Sequence, residues 1–329
     1  MKRITIYDVA KEADVSLATV SRVINHSSVV REDTRKRVEE AIDRLGFKPN
    51  AVAQGLALSK TTTIALVVSE AGLSYTGYMI NGLMDVAKIY HYNIILHTTT
   101  EGITEISDLI ENIIKSRVDG AVIFNDKLTE AELETMTDYQ LPLVIVGNRI
   151  SREKICSVFV NLGKLAEELA NSYVNKGIQD IVLVEDRKNQ TQTVQLANGL
   201  RRVFQERGID HDPVVRIPRE HRTMYSYLKE YFKEHRHAVM IANRDSHALA
   251  ILNAAKEANI KVPEEMEVVC VFDSKYNSMV RPQLSSYNIP AYDLGAVAMR
   301  VMTKLLNDDV ITEKEIELNY VYNPRQTTK

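Results

Sequence analysis

Apolar residues recur with the period of an α-helix in three separate stretches of the first 46 residues. The first stretch starts with Thr5 and Asp8, whose spacing suits a capping box, and the second starts with Ser16, which can cap a helix. The third covers Glu32–Leu45 and stops at Gly46. The pattern predicts three short helices, whose inward residues are Ile6, Val9, Ala10 and Ala13, then Val20, Val23 and Ile24, then Val38, Ile42 and Leu45.

The connection between the first two helices consists only of Asp14 and Val15. Two amphipathic helices that share a core across so short a turn are typical of a helix-turn-helix, and the third helix completes that core. Behind them Pro49 prevents helix continuation, and residues 51–60 predict a further short helix that forms only when it packs on something.

From Thr61 the pattern changes to short apolar runs that alternate with helical stretches. Such runs are typical of buried parallel strands, and their alternation with helices indicates doubly wound sheets. Because the runs form two series, the sequence predicts an all-α head joined to an α/β body of two doubly wound parallel-sheet subdomains. The predicted strands are 63–69, 92–98, 120–125 and 143–148, then 180–185, 237–243 and 266–272, and the helices of the first series are about 75–90, 106–116 and 130–139.

Length and charge agree with this division. A chain of 329 residues is long for a single hydrophobic core. Residues 1–60 carry 11 basic and 8 acidic side chains and the remainder carries 30 and 36, so we expect the basic head to meet a polyanion. No apolar run approaches the ~20 residues of a membrane span and no secretory signal is visible, so we expect a cytoplasmic protein that makes no membrane contact.

The sequence lacks the motifs of catalysis and cofactor binding: it has no GxGxxG after a strand, no P-loop, no HExxH and no GxSxG. We therefore expect no enzyme activity and no cofactor. Cys156 and Cys270 lie far apart and are predicted to be buried apolar side chains, with no metal site and no disulfide. His235 and His237 lie in a charged stretch and are predicted to be solvated.

The second predicted helix carries the chemistry of nucleic-acid recognition. No acidic residue occurs from Val15 to Asn25, while hydroxyl, amide and guanidinium donors recur there. A helix in the major groove uses such donors for phosphates and bases, and the apolar Leu17 and Ala18 at its start can contact a thymine methyl group. The donors are Ser16, Thr19, Ser21, Arg22 and Asn25.

The stretches TIYDVAKEADVSLATVSRVIN and RLGFKPNAVAQGLA resemble the head and hinge of the Lac repressor (LacI/GalR) family. The resemblance implies a homodimeric transcription regulator, expected to be a repressor, that binds double-stranded operator DNA. It implies that Leu17, Ala18 and Arg22 face bases and that Leu56, in a hinge helix, wedges a central base step in the minor groove. Asp14 stands where the family turn commonly has Gly and is expected to keep that turn at some cost. The other implied DNA contacts are Thr5, Ser16, Thr19, Ser21, Asn25, Asn50 and Ala53.

The resemblance also implies a core like that of the periplasmic binding proteins, and it sets domain boundaries. An enzyme or a transport receptor on the same core fold is the alternative class, but the sequence offers neither a catalytic constellation nor a signal peptide. The expected domains are a helix-turn-helix at 1–48, a hinge helix at 49–60 and a core at 61–329, with an N-subdomain at about 61–161 and 290–318 and a C-subdomain at about 162–289 and 319–329.

The stretch PAYDLGAVAMRVMTKLLN resembles the segment with which a family member docks the serine-phosphorylated histidine-containing phosphocarrier protein. The resemblance implies carbon catabolite control, with Tyr292, Asp293, Arg300 and Lys304 in the interface. Residue spacing predicts a helix over about 293–306 that directs Asp293, Arg300, Lys304 and the small Ala296 to solvent. A phosphoserine can accept charge-assisted hydrogen bonds from both cations. The opposite, buried face is predicted to be Leu294, Val297, Ala298, Val301 and Leu305.

A second possible signal is a small molecule in the cleft between the two subdomains. Asp245 and Asp273 follow predicted strands, where open α/β sheets bind their ligands. The arginine that sugar-binding family members usually carry is replaced by Gln195 or Leu196, depending on the alignment, so we expect weak binding of hydroxyl-rich ligands. The alternative hypothesis is a repressor induced by a small sugar or sugar phosphate through Asn243 and Asp273.

Overall fold

The structure is a computed structural model that describes residues 4–24, 27–48, 60–68, 74–99, 106–124, 130–150, 152–186 and 191–329. The chain forms two compact units, Met1–Thr62 and Thr63–Lys329.

The first unit contains the three predicted helices, α1 (Ile6–Glu12), α2 (Leu17–Ile24) and α3 (Glu32–Leu45). They enclose one small apolar core, as the sequence predicts. Four of the predicted inward residues lie at the rim of this core and are only partly buried, because three short helices cannot enclose more. These are Ile6, Ile24, Ile42 and Leu45, and the fully buried residues are Val9, Ala10, Ala13, Val20, Val23, Val38 and Ala41.

Local signals at the helix ends act as predicted. The Asp8 carboxylate accepts hydrogen bonds from the Thr5 N–H at 2.8 Å and the Thr5 hydroxyl at 2.7 Å, which is the returning half of a capping box. The Ser16 hydroxyl oxygen accepts from the Thr19 N–H at 3.2 Å and so caps α2. Asp14 adopts a left-handed conformation with φ 50°, and α3 ends at Gly46 with φ 62°.

The second unit contains two six-stranded sheets. The first sheet is entirely parallel, in the order β11-β5-β4-β3-β1-β2. Its helices lie between the strands in sequence, as doubly wound sheets require. The elements are β1 (Thr63–Val68), α4 (Ser74–Ile89), β2 (Asn93–Thr98), α5 (Ile106–Lys115), β3 (Gly120–Phe124), α6 (Glu130–Asp138), β4 (Leu143–Val146), β5 (Ile155–Phe159) and β11 (Glu315–Glu317).

The second sheet is ordered β12-β10-β9-β8-β6-β7 and is parallel except for the antiparallel edge strand β12. Its elements are α7 (Leu162–Val174), β6 (Ile181–Asp186), α8 (Thr191–Arg207), β7 (Val214–Ile217), α9 (His221–Glu234), β8 (Val239–Ala242), α10 (Asp245–Glu257), β9 (Glu267–Cys270), α11 (Lys275–Met279), β10 (Ser285–Asn288) and β12 (Val321–Asn323).

The last helix, α12 (Ala291–Leu306), follows β10 of the second sheet but packs on α4 and on strands of the first sheet. The chain therefore passes from one sheet to the other three times, after β5, after β10 and after β11. We call the first sheet with α4, α5, α6 and α12 the first subdomain, and the second sheet with α7 to α11 the second subdomain.

Two glycines allow α4 and α12 to approach each other closely. A Cβ on Gly295 would lie 1.9 Å from the Met79 carbonyl oxygen, and a Cβ on Gly82 would lie 2.0 Å from the Tyr292 carbonyl oxygen. Both distances are too short for any side chain, so only glycine permits this contact between backbones. The position of α12 on the first subdomain depends on these two residues.

The predicted burial of the two cysteines is confirmed, since Cys156 and Cys270 are both buried. Burial raises the pKa of the Cys270 thiol to about 12, which makes it an inert apolar side chain near neutral pH. Within the described part of the chain, no helix combines the length and the apolar character needed to cross a membrane.

We predict that Gly295→Ala lowers the free energy of unfolding by about 1–3 kcal/mol or more, because its Cβ overlaps the α4 backbone. Gly77→Ala is the matched control on α4, where a Cβ meets nothing within 4 Å, and it should raise stability by up to about 1 kcal/mol through helix propensity. Urea unfolding of the three proteins measures both effects. Equal stability of Gly295→Ala and the wild type would refute the close contact.

Candidate functional site

The exposed face of α2 presents the residues predicted to contact nucleic acid. Leu17, Ala18 and Arg22 are exposed, while Val20 and Val23 on the opposite face are buried in the core of the head. The first turn of α2 contains no acidic residue and its last turn contains Arg22. This face combines an apolar start with a cation, and it is free of the negative charge that would repel a phosphate.

The hydroxyls beside this face have a structural role as well. Ser16 Oγ and Thr19 Oγ1 share a hydrogen bond at 2.9 Å in the cap of α2, and Thr5 caps α1. Ser21 is half-buried on α2. Asn25, Asn50, Ala53, Leu56 and most of the predicted hinge helix lie outside the described residues.

Sequence reasoning missed one residue of the head, Tyr7. It lies in the first turn of α1 and its side chain is 68% exposed. A large aromatic residue on the polar side of an amphipathic helix was the available signal, because such residues are enriched at binding surfaces. Exposed Tyr7, two residues after Thr5 at the start of α1, is therefore a further candidate contact residue.

The predicted docking residues on α12 are all exposed: Tyr292, Asp293, Arg300 and Lys304. The Tyr292 hydroxyl donates a hydrogen bond to Asp85 Oδ2 on α4 at 2.9 Å, and this bond raises the pKa of the phenol.

The prediction for Ala296 is wrong. It is only 3% exposed, because the close contact of α12 with α4 at Gly82 covers it. On the face predicted to be buried, Leu294, Ala298 and Val301 are buried, whereas Val297 and Leu305 are half-buried.

Three polar residues lie at the carboxyl ends of neighbouring strands of the second sheet, at the mouth of the predicted cleft. Asp186 ends β6, Asn243 follows β8 and Asp273 follows β9, and the first two are 1% exposed. Asn243 Nδ2 donates to Thr193 Oγ1 at 2.8 Å. Asp245 begins α10, where its Oδ1 accepts from the Ser246 N–H at 2.7 Å.

The C-terminal segment of the chain binds one carboxylate oxygen of Asp273. Its Oδ2 accepts hydrogen bonds from Arg325 Nη2 at 2.7 Å and from Asn323 Nδ2 at 2.9 Å. Burial alone would raise the pKa of Asp273, but these hydrogen bonds hold it below the usual value. Asp273 is therefore an ionised anchor for the C-terminal segment.

The structure distinguishes between the two residues that could replace the missing arginine. Leu196 is buried in the core, so it cannot face a ligand. Gln195 is half-buried, and its Nε2 donates to Asn148 Oδ1 of the first subdomain at 3.3 Å. Gln195 is the residue that faces the cleft, and its partner there is another amide.

One histidine departs from the sequence predictions. His237 is not solvated as predicted: its Nδ1 lies 2.7 Å from Asp180 Oδ1 and its Nε2 lies 2.6 Å from the Tyr231 hydroxyl, because the ring lies between Asp180, which precedes β6, and Tyr231 on α9. His235 is exposed as predicted. On α10, burial of His247 together with nearby Arg244 lowers the pKa of its imidazole to about 3.

Comparisons with known proteins give the following similarities. Residues 5–50 match the model of bacterial regulatory proteins of the lacI family, and residues 170–328 match a periplasmic binding protein-like domain. The chain is 32% identical over 331 residues to catabolite control protein A of Staphylococcus aureus strain Mu50, covering 99% of each protein. It is 34% identical to the HTH-type transcriptional regulator pepR1 of Lactobacillus delbrueckii subsp. lactis, covering 99% of this chain and 98% of that protein.

Among solved structures, the Lac repressor dimer bound to operator and the anti-inducer ONPF superposes with a TM-score of 0.87. The two sequences are 22% identical, with 99% of each chain covered. This likeness confirms the predicted fold, a helical head followed by a body of two parallel sheets.

We predict that His247 makes the protein acid-sensitive. The folded-state pKa of about 3 lies below the usual 6.5, so the unfolded chain takes up this proton first as the pH falls. The stabilisation is complete above pH 6.5 and is lost at up to about 1.4 kcal/mol per pH unit between pH 6.5 and 3. Urea unfolding at several pH values should therefore show that the free energy of unfolding falls less steeply with decreasing pH in His247→Gln than in the wild type or in His235→Gln. Identical slopes in all three proteins would contradict the role of His247.

Proposed function

The chain belongs to the lacI family of bacterial regulatory proteins, and we propose that it binds a palindromic operator through α2 and receives its signal on α12. Its relatives are transcription regulators and not enzymes, and it is itself a DNA-binding transcription regulator with a periplasmic-binding-protein-like core. We assign it to the cytoplasm, where operator DNA is found, and to repression in carbon catabolite control.

The exposed face of α2 is the observation that carries the DNA-binding proposal. Leu17 and Ala18 at the start of the helix are the residues that enter the major groove, and Arg22 reaches a base one turn later. Thr5, Ser16, Thr19 and Ser21 lie beside them and position the head on phosphates. Asn25, Asn50, Ala53 and Leu56 complete the set by resemblance.

The exposed apolar side chains of the first subdomain support a homodimer. Strand β2 is the edge of its sheet, and its Leu96 is 47% exposed, with Ile95 exposed beside it. Met84 on α4 is 52% exposed. An edge strand with open apolar side chains attracts another chain. A second copy of this protein is the partner that a palindromic operator requires, because operator symmetry mirrors the two-fold symmetry of the protein.

The charges on α12 support a phosphorylated partner. Arg300 and Lys304 are one helical turn apart, both are exposed, and neither forms an ion pair with another described residue. Two like charges at this spacing repel each other, and a phosphoserine between them replaces the repulsion by two charge-assisted hydrogen bonds. We propose that the serine-phosphorylated phosphocarrier protein docks here, with Tyr292 and Asp293 at the edge of the contact.

The second candidate function is induction by a small sugar or sugar phosphate in the cleft, using Asn243 and Asp273. The buried Oδ1 atoms of both residues favour it, since each lacks a hydrogen-bond partner among the described residues. The engagement of Asp273 by Arg325 and the replacement of the usual arginine by Gln195 argue against it. We therefore place the surface signal first.

We predict that Arg22→Ala weakens binding to an operator selected from random-sequence DNA by roughly 1–3 kcal/mol and weakens binding to scrambled DNA much less. The reason is that a bidentate base contact is lost only on the specific site. Fluorescence anisotropy over a salt series measures both affinities. Arg44→Ala removes the same charge from an exposed ion pair with Glu12 on another surface and is the matched control. Equal losses on the two DNAs would show that Arg22 contacts phosphate only.

We predict that Arg300→Glu abolishes the enhancement of operator binding by the serine-phosphorylated phosphocarrier protein, while basal operator affinity stays at the wild-type value. The substituted carboxylate repels the phosphate that Arg300 would bind. Arg222→Glu, an exposed arginine on α9 of the second subdomain, is the control and should keep the enhancement. If the partner enhances binding equally in Arg300→Glu and the wild type, α12 is not the docking site.

A further inference from the structure

An aromatic contact joins the two subdomains across the cleft. Tyr75 lies at the start of α4 in the first subdomain, and its ring centroid is 4.6 Å from that of Phe272, which follows β9 of the second sheet. Tyr75 also lies 5.9 Å from Phe124 at the end of β3. Phe124 and Phe272 are both largely buried. Tyr75 is thus the central ring of a three-ring cluster at the carboxyl ends of strands from both sheets.

The residue next to Phe272 is likewise engaged by the chain itself. Asp273 binds Arg325 and Asn323 through Oδ2, as described above. Gln195 of the second subdomain also donates to Asn148 of the first. Side chains of this protein therefore hold consecutive residues of the cleft wall, in a place where an open α/β fold would bind an external ligand.

We propose that Tyr75 acts as a built-in ligand that holds the two subdomains closed, so that the core adopts its closed arrangement with no small molecule in the cleft. This inference rests on the proposed function and deepens it, because a core that closes by itself leaves the surface of α12 as the place where a signal is received. Tyr75 supplies the ring contact that a cleft ligand would otherwise make with Phe272.

The size of the effect follows from the contact. A pair of aromatic rings at this separation contributes a free energy that corresponds to about a two- to tenfold shift in an equilibrium. Because the ring contact exists only when the subdomains are together, its whole contribution favours the closed arrangement. Removal of the ring shifts the core toward an open arrangement by that factor.

Small-angle X-ray scattering of the free full-length protein tests the proposal. Tyr75→Ala should increase the radius of gyration, and Tyr75→Phe, which keeps the ring, should leave it unchanged. Tyr139→Ala removes a tyrosine that is 64% exposed on the first subdomain and is the matched control. Tyr75→Asp places a charge against Phe272 and should open the core further. It is included because most molecules could stay closed after the roughly two- to tenfold shift that loss of the ring alone produces.

The proposal is overturned if neither Tyr75→Ala nor Tyr75→Asp changes the scattering of folded protein, with circular dichroism used to verify folding. It is also overturned if Tyr75→Phe opens the core as far as Tyr75→Ala, since the hydroxyl rather than the ring would then be responsible. Failure of the proposed function has a different signature: the wild type would not prefer operator over scrambled DNA, whatever the scattering shows. Operator affinity of the wild type is therefore measured in parallel.

Discussion

The structure of the body depends on the backbone contact between α4 and α12. Gly82 and Gly295 leave no room for a side chain, so the two helices lie against each other as one closely packed pair. This contact carries α12, which follows a strand of the second sheet, onto the first subdomain. The position of Arg300 and Lys304 on the surface follows from it, as does the burial of Ala296.

The same helix pair connects the proposed docking surface with the cleft. Helix α4 begins beside Tyr75, whose ring contacts Phe272, and continues past Gly82 to Asp85, which accepts the hydrogen bond of Tyr292. A partner bound to α12 therefore contacts the helix that packs along α4, and the first turn of α4 carries the Tyr75 ring that is proposed to close the core. Such a connection is a physical basis for coupling two sites, provided that the pair has two arrangements that each site favours differently.

Periodic patterns in the sequence were sufficient for the three helices of the head and for seven of the twelve strands that the structure describes, because long apolar runs and capping residues are local signals. Strands β5, β7 and β10 and the three-residue strands β11 and β12 were missed, since runs of three to five residues give a weak periodic signal and their pairing is set by distant parts of the chain. Burial of Ala296 and His237 follows from tertiary contacts with Gly82 and with Asp180 and Tyr231, which spacing along one helix does not contain. The ring contact of Tyr75 joins residues almost 200 positions apart in the chain and was invisible for the same reason.

The central claim is that the signal arrives on the surface of α12 and not in the cleft. Isothermal titration calorimetry of the purified protein tests it most directly, with the phosphocarrier protein in its serine-phosphorylated and unphosphorylated forms and with D-glucose as separate titrants. The account predicts saturable binding of the phosphorylated form, much weaker binding of the unphosphorylated form and no tight binding of the sugar. Tight sugar binding together with no preference for the phosphorylated partner would contradict it and would favour induction through Asn243 and Asp273.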